Sequence, residues 1–219
     1  MSPLRSVLLV IATVTLAASC RDWPDPVIRS ITPSQMVASE ATPIELRAEV
    51  PLQTTVDYAE GSASVDTAVS IRIGGVEVGH GQYAKGGVFQ LVVPTVFQPG
   101  PQDVTLELAD GRSTTLAGGF TVSEGQWPDG YTIDVIPPQR QLEPFTVTVR
   151  AAGEHAASFH GNVRFEVPPG ATVGPQLSEP FVDGVLTQTI TIRSPRNEEL
   201  LIVSDVAGHR ASSNTFDLR

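Results

Sequence analysis

Along most of this chain apolar and polar residues alternate one by one, the period of a strand with one face on a core and one in water. The pattern is clear in Pro43-Ile44-Glu45-Leu46-Arg47-Ala48-Glu49-Val50, in Val69-Ser70-Ile71-Arg72-Ile73 and in Val104-Thr105-Leu106-Glu107-Leu108. It returns in Tyr131-Thr132-Ile133-Asp134-Val135, Phe145-Thr146-Val147-Thr148-Val149, Val163-Arg164-Phe165-Glu166-Val167 and Val185 to Ile192. Turn signals separate the runs: Gly74-Gly75 before Val76-Glu77-Val78, Pro99-Gly100-Pro101 after Phe89 to Val93, and Asp110-Gly111 before Leu116 and Phe120-Thr121-Val122. Gln53 to Asp66 is polar and predicts a loop. No run of period 3.6 follows Cys20. Short strands with Gly and Pro punctuation predict an all-β chain built from β-sandwiches.

The pattern divides in two. Glu124 to Gly130 is turn-rich and predicts a linker between residues 27–123 and residues 131–219. Both halves end on a strong strand, a glycine turn and a phenylalanine: Gly111 then Phe120, Gly208 then Phe216. This predicts two tandem sandwiches with equivalent last hairpins.

The N-terminus differs from the rest. Arg5 is followed by Ser6 to Ala18, apolar and uncharged. The run is shorter than the about 20 residues of a spanning helix and fits the core of an export signal. It closes on Leu16-Ala17-Ala18-Ser19-Cys20, and Cys20 is the chain's one cysteine. These residues resemble a bacterial lipoprotein signal, with Leu16 one place further upstream than usual and Ala17 standing in its position. The resemblance implies removal of residues 1–19 and lipidation of Cys20 by fatty acyl chains. Two or three chains hold a protein on a bilayer where one does not, at about 0.8 kcal/mol per buried CH₂. It implies a cell-envelope location, the outer membrane rather than the inner. The bland alternative is an ordinary secretory signal that leaves a free thiol. Residues 20–26, with Asp22-Trp23-Pro24-Asp25-Pro26, predict a short extended tether.

The stretch 27–123 resembles the IPT/TIG family of immunoglobulin-like domains. The residues that carry this are Ile31-Thr32-Pro33-Ser34, Ile71-Arg72-Ile73-Gly74-Gly75, Val93-Pro94 with Pro99-Gly100, Asp103-Val104-Thr105-Leu106 and Gly119-Phe120-Thr121-Val122. The family's usual glycine pair before the second strand is replaced by Ser39-Glu40-Ala41-Thr42. The second half is similar to a generic bacterial Ig-like domain.

Charge narrows the partners. The net charge is −10, and loss of Arg5 with the leader takes it to −11. Such a surface repels phosphate backbones, so no nucleic-acid partner is expected. The expected partners are the membrane, through the lipid, and a protein or glycan at the cell surface.

Catalytic motifs are missing. There is no Gly-x-Ser-x-Gly and no phosphate-binding glycine loop, and the thiol lies at the mature terminus. The chain is read as a non-enzyme without a cofactor. No metal is expected, with Glu154, His155 and His160 as weak candidates for a transition ion. The acids Asp57, Glu60, Asp66 and Asp183 are candidates for calcium, though the dense run of oxygen ligands is missing. Binding through aromatics would use Trp127, Tyr83 or Tyr58, with Phe97 and Phe159 also available. Trp127 is read first as a wedge whose ring is buried where the halves meet, because a large aromatic near a linker gains more from burial. The function expected is a lipid-anchored surface binding or spacer module; the alternative is an accessory carbohydrate-binding lipoprotein.

Overall fold

A computed structural model describes residues 23–83 and 86–219. The leader, Cys20 and the Ala84-Lys85 pair lie outside the described residues. The described chain is all-β and forms two immunoglobulin-like sandwiches, each around its own core.

The first sandwich contains β1 (Val27–Thr32), β2 (Gln35–Val37), β3 (Thr42–Glu49), β4 (Thr54–Asp57), β5 (Ser62–Val65), β6 (Ala68–Ile73), β7 (Val76–Gln82), β8 (Val88–Val93), β9 (Gly100–Leu108) and β10 (Ser113–Ser123). One sheet has the order β1-β3-β8 and the other β2-β10-β9-β6-β7. The chain changes sheets at Pro33: β1 pairs antiparallel with β3, and β2 pairs in parallel with the end of β10. Alternation does the work here. Ile44, Leu46 and Ala48 point into the core while Arg47 and Glu49 face water. They meet Ile71, Ile73, Val104, Leu106, Phe120 and Val122 from the opposite sheet. Each of the larger of these side chains, fully buried, contributes about 1.5–3 kcal/mol.

One expectation changes here. Gln53 to Asp66 is not a loop: β4 and β5 form a hairpin, paired from Thr54↔Val65 to Asp57↔Ser62. Every residue of both strands is exposed, so the hairpin stands clear of the sandwich. With no buried face, the sequence carries no alternation there. Leu116 and Phe120 lie on one strand, β10, separated by a bulge against β9.

The second sandwich contains β11 (Gly130–Ile133), β12 (Phe145–Ala152), β13 (Arg164–Glu166), β14 (Thr172–Gly174), β15 (Val185–Arg193), β16 (Glu198–Glu199), β17 (Ile202–Ser204), β18 (Arg210–Ser212) and β19 (Phe216–Asp217). Its sheets run β11-β12-β15-β14 and β13-β17-β18, the four-plus-three order of constant-type immunoglobulin domains. β16 and β19 pair separately. The expected equivalence of the last hairpins holds only at the turn. Phe120 lies on β10 itself, whereas Phe216 lies on β19, against β16. Asn214 lies between β18 and β19. Its side chain accepts from Ile136 N at 2.9 Å and donates to Ile136 O at 3.0 Å.

Asp183-Gly184 forms a two-residue turn in which Val182 and Val185 exchange both backbone hydrogen bonds, each 2.9 Å. Both turn residues have positive φ, 50° and 73°, the type I′ conformation that suits a tight hairpin. A Cβ on Gly184 would also lie 2.3 Å from Ala156 O. Gly184→Ala is therefore expected to destabilise the second sandwich by more than about 1 kcal/mol. A lower urea midpoint checks this; an unchanged midpoint would mean that the turn relaxes freely.

The two ends of the described residues lie at opposite poles. β1 starts opposite Glu49 and runs toward the end where β2, Pro94 and Ser123 face the second sandwich. At the other extreme Gln139 N donates to Asp217 O at 2.8 Å, Arg219 N to Gln139 O at 3.0 Å and Gln141 N to Arg219 O at 2.8 Å.

Candidate functional site

Among the described residues, the junction between the sandwiches joins the two cores. Trp127 leaves the linker and packs against both cores at once. Its ring lies 5.7 Å from that of Phe159, which continues to Phe181 at 5.1 Å and Tyr131 at 6.0 Å. The Tyr131 hydroxyl donates to Asp205 Oδ2 at 2.8 Å. Burial and this carboxylate push the hydroxyl's pKa up, so it stays a donor. His209 Nδ1 lies 2.9 Å from the same oxygen, and the Asp205 side chain is fully buried.

Polar groups lock the seam. Thr95 N donates to Asn162 Oδ1 at 3.0 Å, and Asn162 N donates to Thr95 Oγ1 at 2.6 Å. Asn162 Nδ2 then donates to Ser178 O at 2.7 Å. Thr95 and Asn162 are both buried, so these bonds form out of water's reach. At the rim, Gln98 Nε2 donates to Val206 O at 2.9 Å and Ala41 N to His160 O at 3.2 Å. Gly161 is needed here: a Cβ on it would stand 2.6 Å from the Phe159 ring and 2.9 Å from Thr95 Oγ1.

The opposite pole of the first sandwich holds the incoming chain. Arg112 donates to Pro24 O at 2.5 Å and to Pro51 O at 2.8 Å while its guanidinium pairs with Asp110 at 2.6 Å. Pro26, two residues on, is buried. The side-chain and backbone hydrogen bonds from Arg112 hold the Asp110 carboxyl below its ordinary range. A depressed carboxylate stabilises the fold above its unfolded pKa and loses that contribution as pH falls through the folded value. Acid is thus expected to release this clamp below the ordinary aspartate range. Asp110→Asn should flatten the acid limb of a stability–pH curve; an unaltered limb would place the titration elsewhere.

The aromatics chosen from sequence are not brought together. Phe97 and Phe159 are core residues, 5% and 1% exposed, which removes them as binding aromatics. Both sit where a loop crosses a sandwich end, and burial of their rings is worth more than display. Tyr83 is half-buried and tilts against Phe89 at 6.2 Å. Trp127 is half-buried in the seam. Tyr58 is 92% exposed at the turn of the β4–β5 hairpin.

The candidate ligands are also dispersed. His160 Nδ1 donates to Phe181 O at 3.2 Å, and Glu154 and His155 lie in the turn before it. Among the described residues no three of His, Cys, Asp and Glu are grouped to hold a metal ion. Asp57 Oδ1 accepts from Ala59 N and Glu60 N, and Asp66 Oδ1 from Ala68 N, as turn-capping carboxylates do.

One polar cluster escaped the sequence. On the outer face of β6, β7 and β9 a shallow depression of about 450 Å³ is lined by Ser70, Arg72, Glu77, His80 and Glu107. Ser70 donates to Glu77 at 3.3 Å, and His80 faces the same carboxylate at 3.0 Å. The hydroxyl thus meets a carboxylate rather than the imidazole. The signal was the set of polar residues alternating with the core positions of these strands.

No known protein family matches the chain, and no curated protein is significantly similar to it. Among solved structures it is similar to a β-glycosidase from Bacteroides vulgatus, at 10% identity and TM-score 0.33, over 89% of this chain and 25% of that one. It is similar to domains 4 and 5 of the S-layer protein SbsC, at 13% identity and TM-score 0.31, over 55% of this chain and 65% of that one. It is also similar to the D0–D1 domain of intimin, at 15% identity and TM-score 0.31, over 89% and 97%. The chain thus spans a quarter of the glycosidase and about two-thirds of the SbsC fragment. These likenesses are too low to carry an argument about function.

Proposed function

We propose that this chain is a lipid-anchored, non-enzymatic module of the bacterial cell envelope, on the outer rather than the inner membrane. It holds its second sandwich at a fixed distance and angle from the membrane, where a protein partner meets it. The observation that carries this reading is the buried Thr95–Asn162 seam, stacked beside Trp127, between an N-terminal pole and a C-terminal pole. A flexible pair of domains has no need of buried polar complementarity at its joint. Cys20, three residues before Trp23, supplies the anchor in this reading.

The test is the membrane partition of Cys20→Ala expressed with its own leader. The variant is expected in the soluble fraction, with the natural chain in the membrane fraction. Retention of the variant as firmly as the natural chain would show that the lipid anchor does not exist.

A further inference from the structure

The β4–β5 hairpin has no role in either core, yet it is well formed and sits at the pole where the chain enters. Arg112 fixes that position. It holds Pro24 O and Pro51 O together, and it shares a cleft of about 210 Å³ with Leu52, Thr55 and Asp66 at the base of the hairpin. The hairpin's apolar groups face water: Tyr58 at the turn is 92% exposed, and Val56 and Val65 on the two strands are 48% and 45% exposed. Trp23, on the incoming chain, is 48% exposed at the same pole.

We propose that this hairpin is a foot that rests on the bilayer interface, with Tyr58 among the lipid headgroups. The inference rests on the lipid-anchor reading and adds a second contact to it. The lengths agree. From Cys20 to Trp23 the chain spans at most about 10 Å, at 3.3–3.6 Å per residue. Strands of four residues extend about 13 Å from the body at 3.3 Å per residue. An acylated Cys20 therefore draws this pole closer to the bilayer than the hairpin is long. Tyrosine suits the destination, because its ring prefers the headgroup level, apolar body inward and hydroxyl in water. Asp57 and Glu60 flank it, so the matching surface is rich in zwitterionic ammonium headgroups rather than purely anionic. The contact fixes the rotation of the molecule about its tether, which a lipid chain alone leaves free.

The test uses the full lipidated chain in vesicles of phosphatidylethanolamine and phosphatidylglycerol at three to one. A nitroxide is placed at Ala59→Cys, beside an intact Tyr58, and in a separate chain at Val182→Cys on the second sandwich. Collision with oxygen against a water-soluble nickel chelate reports depth, and intact mass reports acylation of Cys20. The proposal expects the label at 59 to shift to headgroup depth, the label at 182 to remain aqueous, and Tyr58→Asp to return the label at 59 to water. An aqueous signal at 59 on an acylated, membrane-bound chain overturns the foot and leaves the anchor standing. Absence of the acyl mass overturns both. Headgroup depth at 59 that survives Tyr58→Asp overturns the role given to Tyr58.

Discussion

Phe159→Ala is expected to lower the stability of the second sandwich by about 3–5 kcal/mol, the usual cost of emptying a buried phenylalanine site. Phe159 is 1% exposed and is ringed by Trp127, Tyr131 and Phe181 at 5.1 to 6.0 Å. The cavity would have aromatic walls on three sides. Such walls collapse poorly, because their rings are held by other contacts: the Tyr131 hydroxyl by Asp205, and Trp127 by the first core. Phe159→Leu should recover most of the loss. Denaturant unfolding followed by far-ultraviolet circular dichroism checks both variants, and a loss below about 1 kcal/mol for the alanine would mean that the site fills in.

Asn162→Ala is expected to act on two levels. It removes the acceptor of Thr95 N and the donor to Ser178 O, both in buried surroundings. Each orphaned group costs about 1–3 kcal/mol, because neither regains water. The second level is the relation between the halves. Trp127 remains, but the seam loses a bond that fixes its angle. Small-angle scattering of the Cys20→Ala chain is expected to show one narrow distribution of overall dimensions, broadened by Asn162→Ala. An equally narrow distribution in the variant would assign the joint to Trp127 alone. Asn162→Asp is the useful companion: it keeps an acceptor for Thr95 N but sets a buried carboxylate oxygen against Ser178 O, so it is expected to lose at least as much stability as the alanine variant at neutral pH.

The class of fold was open to reading because each sandwich has one wet and one dry side per strand. Ile44-Glu45-Leu46-Arg47 and Phe145-Thr146-Val147-Thr148 imprint burial directly on the sequence. The same logic failed where burial has another source or none. The hairpin at 54–65 touches no core, so Thr54, Thr55, Ser62 and Ser64 read as loop. Phe97 and Phe159 read as available because they stand in loop sequence, and only the fold shows a core reaching up to meet them. Asn162 and Thr95 are 67 residues apart, and nothing local marks one as the partner of the other. The seam was foreshadowed by Trp127, since a large ring in a Trp-Pro linker between two sandwiches has few places to go. His80, Glu77 and Ser70 were invisible as a group because their strands had to be paired before their outward faces could be compared.

The parallel pairing of β2 with β10 has a mechanical meaning. A pull applied between the N-terminal pole and the second sandwich loads β1 and, through it, draws β2 back toward Trp23, while it draws β10 forward through Ser123. Because the strands run the same way, these opposed forces slide one along the other. The three residue pairs Thr121↔Gln35, Val122↔Met36 and Ser123↔Val37 must therefore yield together rather than unzip in turn. That pairing sets the first sandwich to resist a pull along its length by shear, with the β4–β5 hairpin paired only to itself and outside the β2–β10 contact.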